Sequence, residues 1–156
     1  MFIGIIATAI ATALGTMAAL GLSRPHMPYK ALIMSILISP MIVPLIITAA
    51  GMFFFYARIN LVYTFTGVIL AHVALATPFV VITVTATLVG FDMNMVKAAQ
   101  SLGARPIRTF FKVIMPLILP GIISGALFAF ITSFDEVVIV MFMASIDQLT
   151  IPKQMW

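Results

Sequence analysis

Four apolar runs, each long enough to cross a bilayer, leave this chain little freedom of fold class. They cover about 2–22, 31–57, 61–90 and 113–144. A helix crosses the hydrocarbon core in roughly 20 residues. A spanning strand needs only about 9–11 residues of alternating polarity, and these runs neither alternate nor stop at that length. Lipid offers backbone groups no partners, so helices that close their own hydrogen bonds remain. The expected fold is all-α: a polytopic transmembrane helical bundle of about four spanning helices, one domain over 1–156. Composition agrees. The chain is 63% hydrophobic and 8% charged, against roughly 25% charged residues in a soluble domain.

Loop charge sets the orientation. The first connection, 23–30, holds Arg24 and Lys30, with His26 between them. The third, about 91–112, holds Lys97, Arg105, Arg108 and Lys112. These are six of the eight Lys and Arg residues, and both connections fall on one side. The positive-inside rule places that side in the cytoplasm. The N-terminus, the Arg58-Ile59-Asn60 turn and the C-terminal tail are then outside. Apolar sequence begins directly at Met1, and the polar stretch from Asp147 to Trp156 reads as a connection onward. Both ends suggest a chain that continues.

The sequence argues against several function classes. The net charge of +4 is spread over loops, with no basic helix face for nucleic acid. There is no cysteine, hence no disulfide or thiolate metal site. No G-x-x-x-x-G-K-[ST], G-x-G-x-x-G or H-E-x-x-H pattern occurs, so neither a nucleotide cofactor nor a zinc site is expected. No Ser/His/Asp spacing suggests an enzyme.

Ionisable residues inside the apolar runs are few. His72 stands alone in the third run and reads as a packed, hydrogen-bonded histidine. Asp135 and Glu136 lie toward the end of the fourth. An ionised side chain near the bilayer centre costs roughly 2.5–3.5 kcal/mol on insertion scales, so such residues face a cavity or a partner. Two readings stand: a cation-attracting site, or a helix end with one carboxylate paired to a neighbouring Arg or Lys. Adjacent helical positions point about 100° apart, so the two carboxylates need not share a face. Pro40 and Pro44 sit one turn apart in the second run, and Pro78 lies in the third. Proline removes a helical hydrogen bond and kinks the helix, either for shape alone or within a moving pathway. Phe53, Phe54, Phe55 and Tyr56 suit an interfacial aromatic belt. The small residues of the first run permit close helix approach.

The third connection is more organised than a linker needs. It carries Lys97-Ala98-Ala99, then Gly103, then Val113-Ile114-Met115-Pro116, followed by Leu119-Pro120-Gly121-Ile122. This resembles the EAA loop of the inner-membrane permease subunits of binding-protein-dependent ABC importers. That family reads Glu-Ala-Ala, three residues, Gly, nine residues, Ile-x-Leu-Pro. Ser39-Pro40-Met41-Ile42-Val43-Pro44 resembles the family's proline-containing core helix. Ser133-Phe134-Asp135-Glu136 and Thr150-Ile151-Pro152 look most like the spermidine/putrescine branch.

The resemblance implies a type I importer permease, with two short cytoplasmic helices turning at Gly103 and docking on a separate ATPase. Ala98 and Ala99 allow close approach, Phe110 and Phe111 offer apolar anchors, and Pro116 closes the motif. ATP is then bound by the partner, and this chain is not an enzyme. Further implied partners are a second permease subunit, identical or different, and an extracytoplasmic substrate-binding protein. Asp135 and Glu136, with Pro40 and Pro44, become candidate lining of a pathway for a polyamine or other small cation. Lys97 stands where the family has Glu, a charge reversal. Relatives usually have about six helices, so one is expected before the first run and one after Trp156. The competing reading is a non-transporting scaffold or inactive fragment that uses the basic loop to recruit a cytoplasmic partner.

Overall fold

A computed structural model describes residues 1–24, 27–90 and 92–145. His26 and Thr150-Ile151-Pro152 lie outside the described residues. The helices are α1 (Phe2–Leu22), α2 (Lys30–Ile42), α3 (Leu45–Arg58), α4 (Phe65–Val89), α5 (Met93–Ser101), α6 (Pro106–Asp135) and α7 (Val138–Met143).

Helices α1, α4 and α6 form the centre, each packed against the other two. One apolar cluster joins Ala7, Ala11 and Ala19 of α1, Val73, Ala76, Val80 and Val84 of α4, and Ile118 and Ala129 of α6. A second joins Ile3 to Ala49, Val68, Ala71 and Leu75, and to Ile139, Val140 and Met143 of α7. Small side chains dominate because membrane helices associate through close packing, lipid tails being as apolar as leucine. Gly15 is needed because a Cβ there would stand 2.7 Å from Val80 Cβ. At Gly125 a Cβ would lie 2.9 Å from the Cα of Val80 and against the Thr83 hydroxyl.

That contact makes a prediction. Backbone cannot swing aside, so Gly125→Leu forces α4 and α6 apart. Overpacking costs roughly 1–3 kcal/mol, and this site belongs at the upper end. Gly21 has nothing within 4 Å of a Cβ, so Gly21→Leu leaves stability nearly unchanged. Thermal aggregation in mild detergent, followed by size-exclusion chromatography, separates the two. Equal midpoints contradict the packing argument.

The second run was expected as one helix over 31–57. It forms two, α2 and α3, bent by 105°. Pro40 is absorbed inside α2, because the Ser39 hydroxyl donates at 2.8 Å to the Ile36 carbonyl that Pro40 leaves free. Pro44 is not absorbed. It forces Val43 out of the helical region, to φ −73° and ψ 135°, as expected of a residue before proline. It also has no N–H for the Pro40 carbonyl.

The third helix starts at Phe65 and not near Leu61. Asn60 and Tyr63 adopt positive φ, and Thr64 caps the start by accepting from Gly67 N at 3.0 Å. Pro78 does not break α4, which runs through it.

The fourth run was expected over 113–144 behind a loop of 91–112. Its helix instead begins at Pro106, within that loop, and stops at Asp135. Proline suits a first helical turn, where its missing N–H is not needed, and Arg105 before it is extended at ψ 152°. Residues Phe110–Ile114 make a π turn, Met115 N donating to the Phe110 carbonyl. The widened turn falls just before Pro116, whose ring would otherwise clash with the carbonyl four residues back. After Asp135 the chain breaks at Glu136 and re-enters helix as α7.

Candidate functional site

Two features at opposite ends of α6 hold the residues singled out in the sequence. The first is the α5–α6 corner. Asp92 starts α5, its carboxylate accepting from Asn94 N at 2.9 Å. The end of α5 is closed by two backbone bonds, Gly103 N to the Gln100 carbonyl at 2.9 Å and Ala104 N to the Ala99 carbonyl at 3.0 Å. This crossed pair is a Schellman cap, which needs a left-handed residue after the helix. Gly103 supplies it, with φ +79°. Glycine alone adopts that conformation freely.

Lys97 and Ala98 are exposed on α5, and Ala99 is half-buried. Leu102 and Ile107 flank the turn at 88% and 74% exposure, so the corner presents apolar side chains outward. Phe110 and Phe111 meet edge to face, ring centres 5.1 Å apart. They do different things. Phe111 is exposed, while Phe110 turns into a groove between α1 and α6 with Thr16, Leu20 and Met115. Pro116 is exposed one turn further on. The expected second short helix is thus the first turns of α6. Corner and bundle are joined by one continuous helix of 30 residues, about 45 Å long at 1.5 Å per residue.

The second feature is a cavity of about 370 Å³ where that helix ends. The α2–α3 elbow contributes Pro40, Val43 and Pro44. Leu75 and Phe79 of α4 and Thr132 and Glu136 at the end of α6 complete it. The structure brings Glu136, Pro40 and Pro44 together and leaves Asp135 out. Asp135 is exposed, whereas Glu136 is only 6% exposed.

Among the described residues neither carboxylate pairs with a cation. Glu136 Oε1 instead accepts from Ile139 N at 2.9 Å, which begins α7 and fixes the carboxylate. The backbone ends around it are mixed: α3 begins at Pro44 and Leu45 in the cavity wall, and α7 begins at the Glu136 carboxylate. Helices α2 and α6 both end here, and helix C-termini carry roughly half a negative charge. The fixed charge at the cavity is the Glu136 side chain, and the carbonyls of the two helix ends are further oxygens of the kind that coordinate cations at unwound helices in transporters.

One turn away, His72 Nδ1 of α4 lies 2.8 Å from Ser133 Oγ of α6, buried. The histidine is the packed, hydrogen-bonded residue the sequence suggested. Ser133 as its partner was not anticipated, nor were Thr132, Leu75 and Phe79 in the cavity. Among the described residues no cluster of three metal-ligating side chains occurs.

The described residues form a helical membrane bundle with an exposed helical corner at one end of α6 and a cavity holding Glu136 at the other. The chain belongs to the family of binding-protein-dependent transport system inner membrane components, which it matches over residues 11–155. It is 31% identical over 154 residues to the spermidine/putrescine transport system permease protein PotC of Haemophilus influenzae, covering 99% of this chain and 60% of that protein. It is 40% identical over 83 residues to the putrescine transport system permease protein PotI of Escherichia coli, covering 53% of this chain and 30% of that protein. It is also 33% identical over 137 residues to the trehalose transport system permease protein SugB of Mycobacterium tuberculosis, covering 88% and 50%. The chain thus spans less than two thirds of the length of these relatives.

Proposed function

We propose that this chain lines part of the translocation pathway of an ATP-driven importer and couples it to a separate ATPase, with a small polycation of the polyamine class as substrate. The observation that carries the proposal is the continuous helix α6. It begins three residues after the Gly103 turn and ends beside the Glu136 cavity. A helix is stiff along its axis, so displacement of the corner moves the cavity wall with it.

In this reading the α5–α6 corner faces the cytoplasm with the basic connections, and the cavity lies toward the outer face. The ATPase docks on the corner, a second permease subunit completes the pathway, and a binding protein delivers solute from outside. The polyamine assignment is supported by the Glu136 carboxylate in the cavity wall and by the names of PotC and PotI. SugB, named for trehalose, shows that the family scaffold alone does not choose the solute.

The test is purification of the tagged protein from its native membrane, with uptake of labelled putrescine, spermidine and trehalose in cells with and without the gene. The expected result is co-purification of an ATPase and a permease partner, and loss of polyamine uptake alone. Copurification without any gene-dependent uptake supports the scaffold reading instead. Loss of trehalose uptake alone overturns the substrate class.

A further inference from the structure

Between α4 and α6 the bond from His72 to Ser133 sits one turn from the cavity. Leu75 follows His72 by three residues and Glu136 follows Ser133 by three, and both line that cavity. The bond is sealed from the surroundings, His72 being 1% and Ser133 4% exposed. Helix α1 closes over it, since a Cβ on Gly4 would stand 3.8 Å from Ser133 Oγ.

A histidine is an expensive way to fill this space. Among the described residues its buried Nε2 has no partner, and an unmade hydrogen bond in a buried site is unfavourable. Leucine would fill similar volume with no orphaned atom. What imidazole adds is direction. Either tautomer makes the bond, Nδ1–H donating to Oγ or the hydroxyl donating to Nδ1. Either one fixes the rotation and height of the last turn of α6. That turn is where helix stops at Asp135 and where Glu136 takes its direction. A hydrogen bond between buried atoms adds a directional constraint to the close packing of small residues along the same two helices.

We propose that His72 is a positioning residue, holding Glu136 at the cavity through Ser133. The inference rests on the reading of that cavity as a cation site. Among the described residues it predicts a disturbance confined to the α4–α6 contact and to whatever the carboxylate attracts.

The chain has no cysteine, so Thr132→Cys places one thiol in the cavity wall beside Ser133. Membranes carrying the whole transporter are treated with a cationic and with a neutral methanethiosulfonate, and labelling of this subunit is timed. The ratio of the two rates reads the carboxylate, while a general loosening of the bundle changes both rates alike. The cationic reagent is expected to react faster, by at least about threefold, because a charged cleft concentrates counter-ions. His72→Leu is expected to bring the ratio down to that of Glu136→Gln. His72→Gln, which keeps a donor and an acceptor facing Ser133, is expected to restore most of it. Ser133→Ala, a smaller change, is expected to act like His72→Leu and serves if the leucine variant fails to insert.

A ratio that is high in the parent and unchanged in both His72→Leu and Ser133→Ala overturns the positioning role and leaves the cation site intact. A parent ratio no higher than that of Glu136→Gln overturns the cation site, and this inference with it.

Discussion

Gly103→Asp is expected to cut energised uptake to below about a tenth while the protein still inserts and folds. Gly103 is at φ +79° with nothing within 4 Å of where a Cβ would be. Replacement therefore meets no clash and acts through backbone conformation and charge. The left-handed conformation costs most residues other than glycine about 1–2 kcal/mol and Asn or Asp less, and about 1.4 kcal/mol is tenfold in an equilibrium. Aspartate also puts a carboxylate on an exposed corner flanked by Leu102 and Ile107, a surface proposed to be covered by a partner. Uptake at equal membrane protein is expected to fall to below about a tenth from the two effects together. Gly103→Asn, which tolerates the left-handed region better than most residues, keeps more activity than Gly103→Ala, and both exceed Gly103→Asp. Co-purification of the ATPase follows the same order. A Gly103→Asp protein with undiminished uptake and a full complement of ATPase removes the corner from the coupling path.

The parts of the fold legible in the sequence are those governed by composition and periodicity. Four apolar runs gave a helical membrane bundle, and the glycine four residues after Ala99 marked a real turn. Where helices stop was less legible, because stopping depends on how each proline is compensated. Pro40 and Pro78 stay inside helices, and Pro44 breaks one. The difference lies in neighbours. Ser39 covers the carbonyl that Pro40 frees, while Pro44 deprives the carbonyl of Pro40, one turn earlier. Pro106 lies in the 91–112 connection, where a second short helix was expected after Gly103, and it starts the long helix α6 itself.

Site legibility divides along the same line. Glu136, Pro40 and Pro44 were each visible as unusual residues, but their meeting depends on the 105° elbow, which no local pattern specifies. Asp135 and Glu136 were a pair in sequence and are separated in space by the chain break between α6 and α7. The sequence contained one usable signal for that separation, the angular offset of adjacent helical positions. Thr132 carried no signal at all. Ser133 carried one only in hindsight: a hydroxyl and a histidine, both inside apolar runs, each needing a partner.

The separation of the two carboxylates yields the sharpest substitution pair. Glu136→Gln keeps the shape of the side chain and an oxygen to accept from Ile139 N, so the start of α7 survives. What it removes is the charge facing the cavity. A hydrogen bond to a charged group is worth about 1.5–3 kcal/mol, so transport of a polycation at limiting concentration falls by roughly 10- to 100-fold. Asp135→Asn alters an exposed residue outside the cavity lining and changes uptake by less than about twofold, because exposed charges are screened by solvent. Glu136→Asp keeps the charge on a shorter stem and falls between them. The loss belongs in the concentration dependence: the substrate concentration for half-maximal uptake rises, and the maximal rate falls less. Initial uptake rates of labelled putrescine and spermidine over a range of concentrations, normalised to membrane protein, decide it. If Asp135→Asn is the more damaging of the two, the pathway runs on the other face of α6, and the cavity at the elbow is a packing defect.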